Sequence, residues 1–234
     1  MKFANKTAVI TGACGNLGHA IAETLGGEGA RLVLVGSSRE SLDEVFAETA
    51  PDAIKVAVDL RNLAAVKEAM GKVAADTGGI DIVCTTAGGF DMGPAVHVTQ
   101  AEKWDQMMEL NAGTMLNTVR AIVPGMVERG SGKIVTIGAK SALHGVSGMG
   151  AYTASKSVVH RATEAMSGEL RDKGINVNCV MPSIIDTPQN RASMPKADHS
   201  KWATPAEISK VVSFLCSDDA KAVHGALIPV VGLS

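Results

Sequence analysis

The chain has 234 residues, of which 46% are hydrophobic and 20% are charged. We expect residues 1–234 to form a single α/β domain, because this length and balance suit one domain with a sizeable core. The net charge of −2 gives no reason to expect nucleic acid or an anionic membrane as a partner.

The cysteines are too widely spaced to form a metal-binding pattern or a disulfide framework; they are Cys14, Cys84, Cys179 and Cys216. We interpret them as reduced thiols of a cytoplasmic protein and expect no metal site. No apolar run reaches transmembrane length. A strand is predicted so close to residue 1 that we expect no signal peptide.

Short apolar runs alternate with helical patterns through the first half of the chain. The runs predict strands at residues 7–11, 31–35, 54–58 and 81–85, and helices at about 17–28, 40–48 and 63–76. This order predicts a parallel sheet covered by helices on both faces. Ligands should then bind beyond the carboxyl ends of the strands.

The first strand runs into a glycine-rich turn and then a helix, which is the context that a dinucleotide-binding loop requires. Glycines let the backbone approach a pyrophosphate, and the helix N-terminus offers free N–H groups to it. A plain tight turn is the alternative. The expected cofactor-binding residues here are Gly12, Cys14, Gly15, Asn16, Leu17 and Gly18.

The second predicted strand ends in Ser37, Ser38 and Arg39, with no acid at the position that usually binds the ribose of NAD. Hydroxyls and a cation suit the 2′-phosphate of NADP, so the sequence favours NADP(H) over NAD(H). The alternative is a polar loop in which Arg39 is merely solvated.

The second half predicts helices at about 100–110 and 113–129, with Asn111 in the interruption between them. Asparagine normally favours a cap or a break; the functional interpretation is an amide that holds a kink or a water. A strand at 134–137, a glycine-rich loop at 145–150 and a long helix follow. A further strand at 175–180, a long loop at 183–202, a helix at 205–216 and a strand at 226–231 complete the order.

Tyr152 and Lys156 are four residues apart at the start of that long helix, so they share one face. A nearby ammonium should lower the pKa of a phenol, which can then exchange a proton with a substrate near neutral pH. A surface pair without a catalytic role is the alternative. Tyr152 is the only tyrosine in the chain.

Taken in order, these motifs resemble the short-chain dehydrogenase/reductase family over essentially the whole chain. They are Thr11-Gly12-x-x-x-x-x-Gly18, Asp59, Ala87-Gly88, Asn111, Tyr152-x-x-x-Lys156 and Pro182-x-x-x-x-Thr187. The resemblance implies a Rossmann-type doubly wound parallel sheet of about seven strands and hydride transfer with NAD(P)(H). It also implies a homodimer or homotetramer formed through helices 113–129 and 151–171.

The resemblance assigns roles by position. It makes Tyr152 the proton donor or acceptor, Lys156 the partner of the nicotinamide ribose, and Asn111 the support of a proton-relay water. The adenine would meet Asp59 and Leu60, and the carboxamide Thr187. Further cofactor contacts are implied at Ala87, Gly88, Pro182 and Ile185.

The chain departs from the family pattern at the catalytic serine, whose position holds Ala139. Losing one such hydrogen-bond donor typically costs a factor of about 10²–10³ in rate. Ser141 is a candidate replacement, and a loop hydroxyl facing solvent is the alternative. The loops also offer His144, Met149 and Asn190 as candidate substrate contacts, each of which is equally interpretable as an ordinary loop residue.

The region around Ala139, Tyr152 and His160 and the run 186–202 resemble dihydropteridine reductases, which act with tyrosine and lysine but no serine. An electron-poor substrate needs less polarisation than a ketone. We therefore expect an NAD(P)(H)-dependent oxidoreductase acting on a small carbonyl, quinonoid or imine substrate. The alternatives are a dihydropteridine reductase proper, or a dinucleotide-binding sensor that has lost turnover.

Overall fold

The centre of the protein is a parallel sheet of seven strands in the order β3-β2-β1-β4-β5-β6-β7. The computed structural model describes all 234 residues. The strands are β1 (Thr7–Thr11), β2 (Arg31–Gly36), β3 (Ile54–Ala57), β4 (Ile82–Thr85), β5 (Gly132–Ile137), β6 (Ile175–Pro182) and β7 (Leu227–Val230). The expected Rossmann-type doubly wound sheet is thus confirmed.

Eight α-helices connect and cover the strands. They are α1 (Asn16–Gly27), α2 (Arg39–Val45), α3 (Leu63–Thr77), α4 (Ala101–Met108), α5 (Thr114–Arg129), α6 (Gly150–Leu170), α7 (Pro188–Ser193) and α8 (Pro205–Cys216). On one side of the sheet α1 packs against α8, and on the other α3 packs against α5.

Two separate apolar cores form because successive strand residues point to opposite faces of the sheet. Ile10 joins the core beneath α1 and α8, whereas its neighbour Val9 joins the core shared with α3, α5 and α6. Both residues are fully buried. Continuous apolar runs in the central strands are therefore the expected signature of a sheet covered on both faces.

The prediction that the helix is interrupted at Asn111 is wrong. Residues Glu109–Gly113 form a π-helical turn that joins α4 to α5 without interrupting the helix. Such a turn accommodates an extra residue and re-aims the side chains around it, and it occurs frequently at functional sites. The sequence pattern cannot distinguish this local widening from a true end of a helix.

Two other boundaries differ from the predictions. Helix α2 ends at Val45, earlier than predicted. The predicted loop after β6 contains α7, and Ile185 forms an isolated parallel bridge with Ala203. This bridge is supported by a hydrogen bond of 2.9 Å from the Asp186 amide to the Ala203 carbonyl.

All four cysteines are free thiols, and the Sγ atoms of Cys84 and Cys216 lie 3.9 Å apart in the core. No group of three or more His, Cys, Asp or Glu side chains is arranged to hold a metal ion. None of the helices combines the length and the apolar character that crossing a membrane requires.

Candidate active site

The order of the strands reverses between β1 and β4, which lie side by side in the sheet. Their carboxyl ends are joined by side-chain hydrogen bonds. The Thr86 hydroxyl donates to the Thr11 carbonyl, and the Ala87 amide donates to the Thr11 hydroxyl at 3.2 Å. In open parallel sheets a crevice at this reversal is the usual ligand site.

The loop between β1 and α1 fits a dinucleotide pyrophosphate. Gly12 has a φ of +61°, and a Cβ there would lie 2.8 Å from the Ala87 Cα, so only glycine fits. A Cβ at Gly18 would overlap the Gly12 carbonyl oxygen. No side chain caps the first turn of α1, which leaves its N–H groups available to an anion.

Positively and negatively charged side chains both lie within a few residues of the end of β2. Ser38 caps α2 by accepting a hydrogen bond from the Ser41 amide, and its hydroxyl donates to Glu40 at 2.7 Å. Arg39 is exposed and pairs with Asp43 at 2.8 Å. Ser37 is exposed beside them.

The end of β3 carries Asp59 and Leu60. The Asp59 carboxylate accepts hydrogen bonds from the Arg61 guanidinium at 2.9 and 3.0 Å, which hold the pKa of the carboxyl below its usual value. The Leu60 carbonyl accepts a hydrogen bond from the Asn117 side chain at 3.0 Å.

Tyr152 and Lys156 lie in the first turns of α6, as predicted. Lys156 is buried, and its Nζ donates to the Ile137 carbonyl at 2.9 Å. Helix α6 thereby fixes the lysine against the carboxyl end of β5. Tyr152, one turn earlier, is only partly buried and lines a small cavity.

Asn111 is held by three hydrogen bonds. Its Nδ2 donates to the Gly89 carbonyl at 3.1 Å and to the Ser155 hydroxyl at 3.0 Å, and its Oδ1 accepts from the Gly89 amide at 2.9 Å. A Cβ at Gly88 would lie 2.6 Å from Asn111 Oδ1 and 3.3 Å from Lys156 Nζ. The amide and the ammonium therefore converge on Gly88.

Burial, and not Lys156, controls the pKa of Tyr152. Desolvation raises the pKa of Tyr152 to about 12, so the expectation of a lowered pKa is wrong for this geometry. Desolvation also lowers the pKa of Lys156 to about 8. The Lys156 ammonium donates a hydrogen bond to the Ile137 carbonyl. The Tyr152 phenol stays protonated at neutral pH.

The Phe90 ring meets the Tyr152 ring edge to face, with centroids 5.0 Å apart and an interplanar angle of 78°. Edge-to-face contact is a favoured geometry for two aromatic rings. Phe90 is nevertheless 60% exposed, so most of its surface is accessible to solvent.

Ala139 lies two residues after the end of β5 and is buried. Its amide donates to His160 Nε2 at 3.3 Å, and burial lowers the pKa of that histidine to about 4. Ser141 lies in the following turn, Lys140–Leu143, is partly buried, and forms no hydrogen bond within the protein. No hydroxyl stands at position 139 itself.

The segment after Pro182 folds back over the glycine-rich loop. Thr187 caps α7 by accepting from the Asn190 amide, and Asn190 Nδ2 donates to the Ile185 carbonyl at 2.8 Å. The Asn16 side chain donates to Gln189 Oε1 at 3.0 Å, which links this helix to the start of α1. Asn190 therefore already serves the local fold.

Two candidate substrate residues lie on the loop before α6. His144 is exposed, whereas Met149 lines a small cavity together with Tyr152. Sequence reasoning missed Ser155, which supports Asn111, and Phe90, which contacts Tyr152. Phe90 could have been found from its place two residues after Gly88, at the end of a predicted strand.

The chain is similar in sequence to a known family and to several of its members. A family model described as short chain dehydrogenase matches residues 6–198. An uncharacterized oxidoreductase of Staphylococcus aureus (strain N315) is 34% identical over 212 residues, covering 90% of each chain. Dehydrogenase/reductase SDR family member 4 of Oryctolagus cuniculus is 30% identical over 244 residues, covering 98% of this chain and 94% of that protein.

Solved structures agree with this result. The crystal structure of levodione reductase superposes with a TM-score of 0.90 at 28% identity, covering 98% of this chain and 97% of that one. The NAD⁺-bound xylitol dehydrogenase superposes with a TM-score of 0.92 at 24% identity, covering 99% and 100%, and supports the fold alone.

Proposed function

The chain belongs to the short-chain dehydrogenase/reductase family of NAD(P)-dependent oxidoreductases, and from its site we propose that it reduces a small electron-poor carbonyl, quinonoid or imine substrate. The observation that carries the proposal is the convergence of Asn111 and Lys156 on Gly88, with Tyr152 one helical turn away. This cluster lies at the same sheet edge as the glycine-rich loop.

In this proposal the nicotinamide cofactor, when bound, supplies the hydride. The Tyr152 phenol donates a proton to the substrate oxygen or nitrogen, for which its raised pKa keeps it in the protonated form. Lys156 holds the nicotinamide ribose, and Asn111 fixes the backbone at Gly89 and supports a proton-relay water. The protonated phenol is the form that proton donation in a reduction requires.

Ala139 leaves the substrate without the usual hydroxyl donor, which is why we propose an acceptor that is already electron-poor. A quinonoid dihydropterin is a second candidate, supported by the resemblance of residues 186–202 to dihydropteridine reductases. Ser141, His144, Met149 and Asn190 remain candidate substrate contacts.

The test of this substrate class is NADPH and NADH oxidation with matched acceptors. We expect turnover of diketones, quinones or quinonoid dihydropterin, and little turnover of unactivated ketones. Tight binding of a nucleotide with no acceptor reduced would instead support the alternative, a dinucleotide-binding sensor.

For the cofactor we propose that the glycine-rich loop holds the pyrophosphate, that Asp59 and Leu60 meet the adenine, and that Thr187 meets the carboxamide. Ala87, Gly88, Pro182 and Ile185 complete the contacts. We also propose a homodimer or homotetramer formed through α5 and α6, in keeping with the family.

We propose NADP(H) over NAD(H) because Ser37, Ser38 and Arg39 follow the end of β2, where NAD sites usually carry an acid for the ribose, and hydroxyls and a cation suit a 2′-phosphate. The opposing feature is Glu40, whose carboxylate lies beside Ser38. We expect Arg39→Ala to weaken NADPH binding about tenfold with little effect on NADH, because a charge-assisted contact to phosphate is lost.

Fluorescence titration with both nucleotides measures this change. Arg31→Ala is the matched control, because Arg31 is an exposed arginine at the opposite end of the same strand. An equal effect of Arg39→Ala on both nucleotides, or tighter NADH than NADPH binding by the wild type, would contradict the NADP(H) preference.

A further inference from the structure

Four exposed apolar side chains lie in the segment that passes beside Tyr152. Phe90, Met92, Val96 and Val98 are each more than half exposed, at 60%, 64%, 61% and 57%. They all lie in the segment between β4 and α4, which we call the apolar rim. Exposed apolar patches of this kind commonly mark binding sites.

The apolar rim is held against the start of α6. The Gly93 amide donates to the Gly148 carbonyl at 2.8 Å. A Cβ at Gly150 would overlap Val96, and a Cβ at Gly148 would lie 3.7 Å from the Met92 methyl group. The rim is therefore fixed next to the helical turn that carries Tyr152.

Phe90 is the rim residue that reaches the reacting phenol. Its edge-to-face contact with Tyr152 fixes one side of the ring, while 60% of the residue remains accessible. An aromatic ring held this way offers a flat apolar surface directly beside the proton donor. A planar group conjugated to a reacting carbonyl would fit against that surface.

The two charged residues that line the cavity beside Tyr152 pair with each other. Asp91 and Lys103 line the small cavity that also includes Met149 and Tyr152, and they form an ion pair of 2.6 Å. A charged substrate group would have to displace one partner from the other. The rim therefore favours an uncharged substrate.

Resting on the function proposed above, we infer that Phe90 determines substrate specificity by stacking against a planar, uncharged ring conjugated to the group that is reduced. The substrate class is thus an uncharged aromatic or quinonoid carbonyl or imine compound. Aliphatic compounds with the same reactive group would lack this contact.

Two diketones with the same reactive group test the inference. Diacetyl carries two methyl groups, and phenylpropanedione carries a phenyl ring in place of one of them. Phe90→Leu keeps apolar bulk but removes the flat ring, and Val98→Ala is a control on the same rim. We expect Phe90→Leu to lower kcat/KM for phenylpropanedione about threefold to tenfold while changing that for diacetyl less than twofold.

A binding measurement separates recognition from turnover. In the turnover-deficient Tyr152→Phe protein, calorimetry should show that Phe90→Leu weakens phenylpropanedione binding by a similar factor, while Val98→Ala does not. Equal effects of Phe90→Leu on both diketones, or none on phenylpropanedione, would overturn the role of Phe90.

Failure of the proposed function would give other results than failure of the inference about Phe90. If the wild type reduces neither diketone nor any quinone, the reductase proposal fails, while the calorimetric comparison still decides whether Phe90 binds the planar ring. If both diketones are reduced in a Tyr152-dependent manner with an unchanged ratio in Phe90→Leu, only the inference about Phe90 fails.

Discussion

Ala139 occupies the position at which the resemblance to the family leads us to expect a catalytic serine. It is buried at the end of β5, with its amide bonded to His160 Nε2 at 3.3 Å. An alanine side chain has no donor with which to polarise a substrate oxygen. In the proposed reaction an electron-poor substrate would compensate, because its reacting bond already carries the required polarity.

Restoring a hydroxyl at position 139 should extend the reaction to ordinary ketones. We expect Ala139→Ser to raise kcat/KM for acetophenone by about tenfold or more, within the range that one such donor contributes. Steady-state NADPH oxidation measures this change. Ala142→Ser is the matched control, because Ala142 is a buried alanine of the same connection. Equal gains in both variants, or none in Ala139→Ser, would contradict the proposed position of the substrate oxygen.

Tyr152, Lys156 and Asn111 could be proposed as site residues from the sequence, because their types and spacing suit the proposed chemistry. Sequence reasoning could not find the direction of the pKa shift at Tyr152, because that depends on how deeply the phenol is buried. The sequence predicted that Lys156 would act on Tyr152, whereas the lysine bonds to the Ile137 carbonyl.

At the scale of elements, the glycine-rich turn and α1 act as a unit with the end of β4. A Cβ at Gly18 would overlap the Gly12 carbonyl oxygen and lie 2.9 Å from the Ala13 Cα. The loop can hold this shape only with glycine in the first turn of the helix.

Alanine substitution at two helical glycines separates this requirement from ordinary helix propensity. We expect Gly18→Ala to weaken NADPH binding about tenfold or more and to lower the free energy of unfolding by about 1–3 kcal/mol, because backbone atoms must move. Gly71→Ala in α3 should raise the free energy of unfolding by about 0.5–1 kcal/mol, because its Cβ meets nothing within 4 Å.

Urea unfolding and nucleotide titration measure both effects. A Gly18→Ala protein that binds NADPH like the wild type would contradict the account of the loop. A lower free energy of unfolding in Gly71→Ala than in the wild type would contradict the absence of any atom within 4 Å of a Cβ at position 71.

Most elements were predictable because a sheet covered on both faces requires apolar strands, and these runs stand out between helical patterns. The π-helical turn at Glu109–Gly113 was not predictable, because in the sequence it looks like a break between two helices. Helix α7 was missed because its six residues are too few to show a period. Thr187 followed by Pro188 is a local start signal for this helix, which the interpretation of residues 183–202 as a loop did not use.

At the scale of the whole molecule, the buried Lys156 costs stability. Desolvation lowers the pKa of Lys156 from 10.5 to about 8 in the folded protein. Between these values the unfolded chain binds more protons, so stability rises as the pH rises from about 8 to 10.5. At pH 7 the folded protein bears the full cost of keeping the ammonium charged and buried.

Lys156→Met should therefore stabilise the protein at pH 7 while abolishing turnover. We expect a gain of about 1–2 kcal/mol, since each pKa unit corresponds to about 1.4 kcal/mol and the bond to Ile137 is lost. Urea unfolding at pH values from 7 to 10.5 measures the free energy of unfolding of both proteins. The advantage of Lys156→Met over the wild type should become smaller as the pH approaches 10.5.

Lys67→Met, at an exposed position of α3, is the control and should change little. A Lys156→Met protein less stable than the wild type at pH 7, with a difference independent of pH, would contradict this assignment of the cost.

The most direct test of the account is NADPH oxidation by Tyr152→Phe, measured together with its NADPH dissociation constant. We expect kcat to fall by about 10²–10⁴, because the proposed proton donor is removed. The NADPH dissociation constant should stay within about threefold, because the glycine-rich loop and Lys156 are untouched. Full reductase activity in Tyr152→Phe would contradict the proposed role of Tyr152 as the proton donor.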